Sequence, residues 1–162
     1  MNYLGLDRKD TQNVTKELNT LLSCYHVYYQ NLRHFHWHVE GHNFFDMHQL
    51  FEDMYNDAKV KIDDIAERIL TLRQKPMASL ADYLNHSKVE EAQTGLSDAE
   101  MIEKILSDHA QLIECMRRTL EVANKGHDEG TIDLIAGFLG QLEKRSWMLD
   151  AWRSKKFVKE MA

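Results

Sequence analysis

The chain has 162 residues, 43% apolar and 28% charged, with one proline and seven glycines, which suits one helical domain over residues 1–162 and excludes disorder or a many-turned β fold. Its formal charge of −6 at pH 7 disfavours a broad nucleic-acid surface and favours the attraction of cations. The opening MNYLGLDRKDTQNV lacks the basic-then-apolar order of a secretory signal, and no apolar run of about eighteen residues offers a membrane span, so a cytoplasmic address is expected.

The first helix is predicted from about residue 10 to His38, because Val14, Leu18, Leu21, Leu22, Tyr25, Tyr28, Tyr29 and Leu32 recur at helical spacing. Cys24 lies in that pattern and Cys115 far along the chain, with no CxxC spacing, so two reduced, packed thiols are expected. EGHN (40–43) breaks the helix. The second begins near Asn43, carries Met47, Phe51, Met54, Ala58, Ile62, Ile65 and Ile69, and is expected to end before Pro76, since proline restricts its predecessor. A mixed crossover follows from Lys75 to Leu96, within which SLADYL (79–84) predicts one short helix.

Ser97 and Glu100 form a capping-box pattern ahead of Ile102, Ile105, Leu106, His109, Leu112, Ile113, Met116 and Leu120. NKGHDEG (124–130) closes this third long helix. Thr131 is the expected cap of a fourth, through Ile135, Phe138, Leu139, Leu142, Leu149 and Trp152, before the basic tail RSKKFVKEMA. Four long helices with one long middle connection describe an all-α, ferritin-like four-helix bundle, with a short helix in the crossover between helices two and three.

Five of the nine histidines fall between His34 and His48. A di-iron centre inside one bundle uses Glu-x-x-His pairs on two helices, and no histidine here has a glutamate three positions earlier. Helical geometry points elsewhere. At about 100° per residue, taking His48 as zero, Glu52 lies near 40°, Asp63 near 60° and Glu67 near 100°, whereas the apolar set spans about −120° to −40°. The stripe therefore faces away from the bundle core.

His48/Glu52 and Asp63/Glu67 are each i,i+4 pairs, but Glu52 and Asp63 lie roughly 16 Å apart along the axis, so one helix cannot close both around one ion. Two copies crossing antiparallel about a two-fold axis near residues 57–58 would bring His48/Glu52 of one to Asp63/Glu67 of the other, twice. His36, just before the EGHN turn, could complete each site; two imidazoles and three carboxylates suit iron. Outward acidic stripes are ordinarily solvated, and Lys59, near 20°, also permits a salt-bridge reading.

HWHVEGHNFFDMHQLFEDMY followed by DDIAERI resembles the Dps mini-ferritins in the pattern His-Trp, Gly-x-Asn-Phe, His, then Asp-x-x-x-Glu. The likeness extends to KPMASLADYL, GHDEGTID and LEKRSWMLDAW. It implies His36, His48, Glu52, Asp63 and Glu67 as ligands of a two-iron intersubunit ferroxidase centre, with glutamate at position 52 where the family more often has aspartate. It further implies a hollow dodecamer that oxidises Fe(II), preferentially with hydrogen peroxide, and stores ferric mineral. Trp37 and Tyr55, near the ligands in sequence, are candidates to take up stray oxidising equivalents. Asp128, Glu129 and Asp133 are candidates to line pores that admit Fe(II), although acidic residues at a helix start also complement its dipole.

DNA compaction, the family's other role and one that would place the protein at the nucleoid, needs phosphate-neutralising tails. Only Arg8 and Lys9 precede residue 15, offset by Asp7 and Asp10; Arg153, Lys155, Lys156 and Lys159 are the stronger cluster. Weak or absent DNA binding is expected. A metal-free helical scaffold is the remaining alternative.

Overall fold

The computed structural model describes residues 3–154. Its elements are α1 (Arg8–His38), α2 (Phe44–Thr71), α3 (Leu80–His86), α4 (Asp98–Lys125) and α5 (Glu129–Arg153), with no strand among the described residues. The all-α bundle and the short crossover helix match the sequence expectation. α1 packs against α2, α3 and α4, and α4 against α5. Short turns make α1/α2 and α4/α5 antiparallel hairpins. Asn31–Asp108, Tyr28–His109 and Cys24–Cys115 contacts set α1 antiparallel to α4 as well. The apolar stripes of all four long helices meet in one core, where Leu18, Leu21, Leu32, Phe35, Phe51, Ile65, Ile102 and Leu112 are fully buried.

Two buried asparagines of α1 pin the crossover along it. Asn19 Oδ1 accepts from the Met77 amide (2.8 Å). One end of the Asn31 amide donates to the Glu90 carbonyl and the Asp108 carboxylate, while the other accepts from the Ala92 amide. Between these anchors α3 lays Tyr83 flat on His26, with ring centroids 3.8 Å apart. Each polar side chain is thereby satisfied on burial, as a buried amide must be.

α2 ends before Pro76, as expected, though for another reason, and the cap of α5 departs from expectation. α2 stops at Thr71, before the proline exerts any effect, because Arg73 takes φ 64° and a Schellman motif forms: Arg73 donates to Leu70 and Gln74 to Ile69. The same motif ends α4, with His127 at φ 53°. Gly126 is needed there for space, since a Cβ would lie 2.9 Å from the Asp10 Cβ. This turn delivers Asp128, and not Thr131, as the cap of α5: Asp128 Oδ1 accepts from the Thr131 amide and Oδ2 from its hydroxyl. The Ser97–Glu100 capping box is present as predicted.

His109 sits 1% exposed at the bundle centre. Ser146 gives its own proton to the Leu142 carbonyl, so its Oγ accepts from His109 Nδ1–H, and Nε2 accepts from Tyr28. The neutral ring is fully partnered. Burial first, then Arg145 and Lys61, hold its pKa down at about 3. Unfolded, the ring would take up a proton near pH 6.5; folded it refuses one, so stability falls as pH drops from about 6.5 toward 3, by on the order of 5 kcal/mol. Urea midpoints at pH 7 and pH 4.5 check this: the wild type loses stability on acidification and His109→Gln loses less. Equal losses in both would assign the acid lability to other groups.

Candidate metal centre

The EGHN turn folds the end of α1 back on the start of α2, and this local geometry creates the first half of a site. His36 and His48 stack with centroids 3.7 Å apart and planes 15° from parallel. His36 Nδ1 lies 2.8 Å from the His48 carbonyl, and His48 Nδ1 lies 2.7 Å from the His36 carbonyl. A carbonyl only accepts, so each Nδ1 carries a proton, and in the neutral ring Nε2 is the nitrogen with the lone pair. Donation of the second nitrogen to an acceptor is the arrangement that orients metal-binding histidines. Phe44 covers the other face of His48 at 5.0 Å, and Tyr55 meets His36 edge-on at 5.3 Å. Both rings are thus held before any ion arrives.

Glu52 follows one turn along α2 and is half-buried, whereas Asp63 and Glu67 are exposed. Among the described residues no lysine or arginine forms an ion pair with these three carboxylates, and Lys59 stands exposed without joining them. The scaffold reading lacks its salt bridges. Within one chain, no three His, Cys, Asp or Glu side chains among the described residues converge closely enough to hold a metal ion. The structure therefore brings His36 to His48 and leaves Asp63 and Glu67 further along α2.

Apolar side chains share the outward face with the stripe. On the same angular count Phe45 lies near 60°, Leu70 near 40° and Val60 near 120°. They are 84%, 55% and 59% exposed. Large apolar groups thus stand exposed beside carboxylates that make no ion pair among the described residues.

The bundle interior offers cations no welcome. Lys61 is buried there, its ammonium paired with Asp57 and 5.5 Å from the Phe138 ring, and Arg145 lies close enough to act on His109.

Tyr55 packs edge-on against Tyr29, and its phenol is pushed above the ordinary value by partial desolvation and then by the Glu52 carboxylate. It adjoins the histidine pair, as expected. Trp37 does not: it is 56% exposed, stacked under Arg33 at 4.9 Å, and lines a separate cleft of about 390 Å³ with His34, His38 and Glu91.

Among the pore candidates, Glu129 and Asp133 are exposed, but Asp128 is 3% exposed and held by Arg68 at 2.5 Å as well as by its capping bonds. Its assignment to a pore is corrected: both oxygens are used inside the bundle. Arg68 was not singled out in the sequence, and the one signal for it is its place on the core side of α2. Lys155, Lys156 and Lys159 of the basic tail lie outside the described residues.

A family model for the ferritin-like domain matches residues 15–156. The chain is 41% identical over 152 residues to a DNA protection during starvation protein of Porphyromonas gingivalis, covering 93% of this chain and 95% of that one. It is 37% identical to DNA protection during starvation protein 2 of Bacillus anthracis, covering 87% and 97%. A crystal structure of Dps from Vibrio cholerae O1, a member of the superfamily of ferritin-like diiron-carboxylate proteins, superposes with a TM-score of 0.92 at 37% identity, covering 95% and 97%.

Proposed function

The chain belongs to the Dps family of ferritin-like proteins, and from that premise we propose that it is a ferroxidase and iron store whose active sites form between subunits. Fe(II) is the substrate, hydrogen peroxide the preferred oxidant, and a hollow homo-dodecamer the vessel for ferric mineral. The observation that carries this reading is the pair His36/His48, two preorganised Nε2 donors, with His48 on the α2 face whose carboxylates have no counter-ion among the described residues.

A two-fold axis between residues 57 and 58 would set each position on α2 opposite a second. His48 would face the second subunit's Glu67, Glu52 its Asp63, and exposed Phe45 its Leu70. Apolar cover and ligand closure thus follow from one operation. His36 adds the second imidazole. Three carboxylates favour the ferric product, while the imidazoles help retain Fe(II). Each of two Fe(II) ions gives one electron to peroxide, the O–O bond breaks, and two hydroxides result. Pairing the electrons in this way avoids releasing a hydroxyl radical. Tyr55, beside His36, is placed to reduce a stray oxidant; Glu129 and Asp133 would draw Fe(II) to the shell.

The test is anaerobic loading of assembled protein with Fe(II), followed by peroxide or oxygen, with ferric absorbance as readout. One peroxide consumed per two Fe(II), faster than with oxygen, is the expected result; no oxidation above that of free Fe(II) would refute the proposal.

Several relatives are named for DNA protection, and for this chain we assign that protection to removal of Fe(II) and peroxide. Arg153, at the end of α5, is engaged by Glu103 and Asp150. Duplex DNA is expected to be retarded weakly at low salt and not at physiological salt in a gel-shift. Salt-resistant retention would establish direct binding. Among the described residues no helix is long and apolar enough to cross a membrane.

A further inference from the structure

The two cysteines, separated by 91 positions, meet in the fold. Cys24 Sγ on α1 and Cys115 Sγ on α4 are 3.7 Å apart, and both are free thiols. The Tyr28–His109 hydrogen bond about one turn along holds the two helices in this register. The crossover closes over the pair, with the Lys88 amide donating to Cys24 Sγ at 3.2 Å. Cys24 is wholly buried, whereas Cys115 keeps 9% of its surface open.

We propose that Cys24 and Cys115 form a redox-active dithiol that hydrogen peroxide converts reversibly to a disulfide linking α1 to α4. The proposal is independent of iron oxidation. A disulfide requires the sulfurs to close by roughly 1.7 Å to a bond of about 2.0 Å, a small movement between side chains already in contact. Intracellular disulfides are typically transient and redox-sensing.

The two sulfurs have different tasks. The contact with the Cys115 thiol and then the Lys88 amide, which donates to Cys24 Sγ, lower the Cys24 pKa against the opposing effect of burial. The same contact holds the Cys115 thiol above its usual value. The backbone donor at Lys88 serves Cys24 Sγ and stabilises a thiolate there, which assigns Cys24 as the nucleophile, since the thiolate is the reactive form. Its sulfur attacks one peroxide oxygen, the O–O bond breaks, and Cys24 becomes a sulfenic acid as water leaves. Cys115 sulfur then attacks Cys24 sulfur; the S–S bond forms, and the sulfenic oxygen departs as a second water with the Cys115 proton. The dithiol loses two electrons and two protons, and peroxide gains them. With the second sulfur in contact, closure competes well with further oxidation.

The experiment uses iron-free, assembled protein with a chelator present, treated with peroxide and then with a thiol alkylating agent. Mass spectrometry under non-reducing conditions should find the Cys24 and Cys115 peptides joined within one chain, the chain lighter by two hydrogen atoms, and both thiols restored by dithiothreitol. In Cys115→Ser, Cys24 should stop at the sulfenic acid and be captured by dimedone; in Cys24→Ser, Cys115 should alkylate as it does in untreated protein. Persistence of both thiols in the wild type under excess peroxide would overturn the proposal. So would sulfinic or sulfonic acid without the link, or a link only between chains. Because no iron is present, none of these outcomes bears on ferroxidase activity.

Discussion

Alanine at both His36 and Asp63 is expected to lower the initial rate of peroxide-driven Fe(II) oxidation by on the order of 100-fold or more, since even groups that merely orient a ligand are worth about 10–100-fold in metal affinity or activity. Each change removes a different kind of donor: His36 an imidazole latched to the His48 carbonyl, Asp63 an exposed carboxylate on the outward face of α2. His36→Ala alone also frees the His48 carbonyl and unstacks its ring, so His48 loses orientation as well. Among the described residues the exposed Asp63 side chain makes no ion pair, so the shell should still assemble when Asp63→Ala is made alone. Size measurement on that variant separates loss of chemistry from loss of structure. Unchanged oxidation in the double variant would remove both residues from the site.

Asp128→Ala is expected to destabilise the fold by about 3 kcal/mol, because it strands a largely buried Arg68 guanidinium. Loss of the α5 cap contributes about 1 kcal/mol of that cost. Gly130 belongs to the same arrangement: a Cβ there would lie 2.9 Å from both Arg68 terminal nitrogens, so the glycine lets the guanidinium approach the helix start. Asp128→Asn keeps one acceptor oxygen for the Thr131 amide but removes the charge and turns the other oxygen into a donor, and should fall between wild type and alanine. Urea midpoints of the three proteins check the order. A difference below about 1 kcal/mol between wild type and alanine would mean that Arg68 reaches solvent once unpaired.

What the sequence made legible is what helical periodicity carries. The positions of the four long helices, the Ser97 capping box and the angular separation of the acidic stripe from the apolar face are local properties, fixed within a few turns. Contacts that need two distant segments in register were hidden. Asn19 and Asn31 read as ordinary polar positions until the crossover is laid against α1. Cys24 and Cys115 read as unrelated thiols until α1 and α4 are set antiparallel. Thr131 looked like a cap because it precedes the apolar run; the left-handed His127 turn and the charge on Arg68 give that task to Asp128. α2 ends before Pro76 as expected, but what stops it is Arg73, in a conformation that glycine usually supplies. The histidine pair was half legible: its spacing across EGHN was plain, while the reciprocal carbonyl bonds that fix both tautomers required coordinates.

The central claim is that each metal site takes its histidines from one subunit and Asp63 and Glu67 from another. Co-assembly of two inactive chains tests it directly, one carrying His36→Ala and His48→Ala, the other Asp63→Ala and Glu67→Ala. In a pair formed by one of each, one of the two symmetry-related sites has every ligand and the other lacks four. Random mixing of equal amounts should therefore restore about a quarter of the wild-type sites, measured as peroxide-driven Fe(II) oxidation per shell. Mixed shells, verified by mass, that remain as inactive as either parent would contradict the intersubunit site.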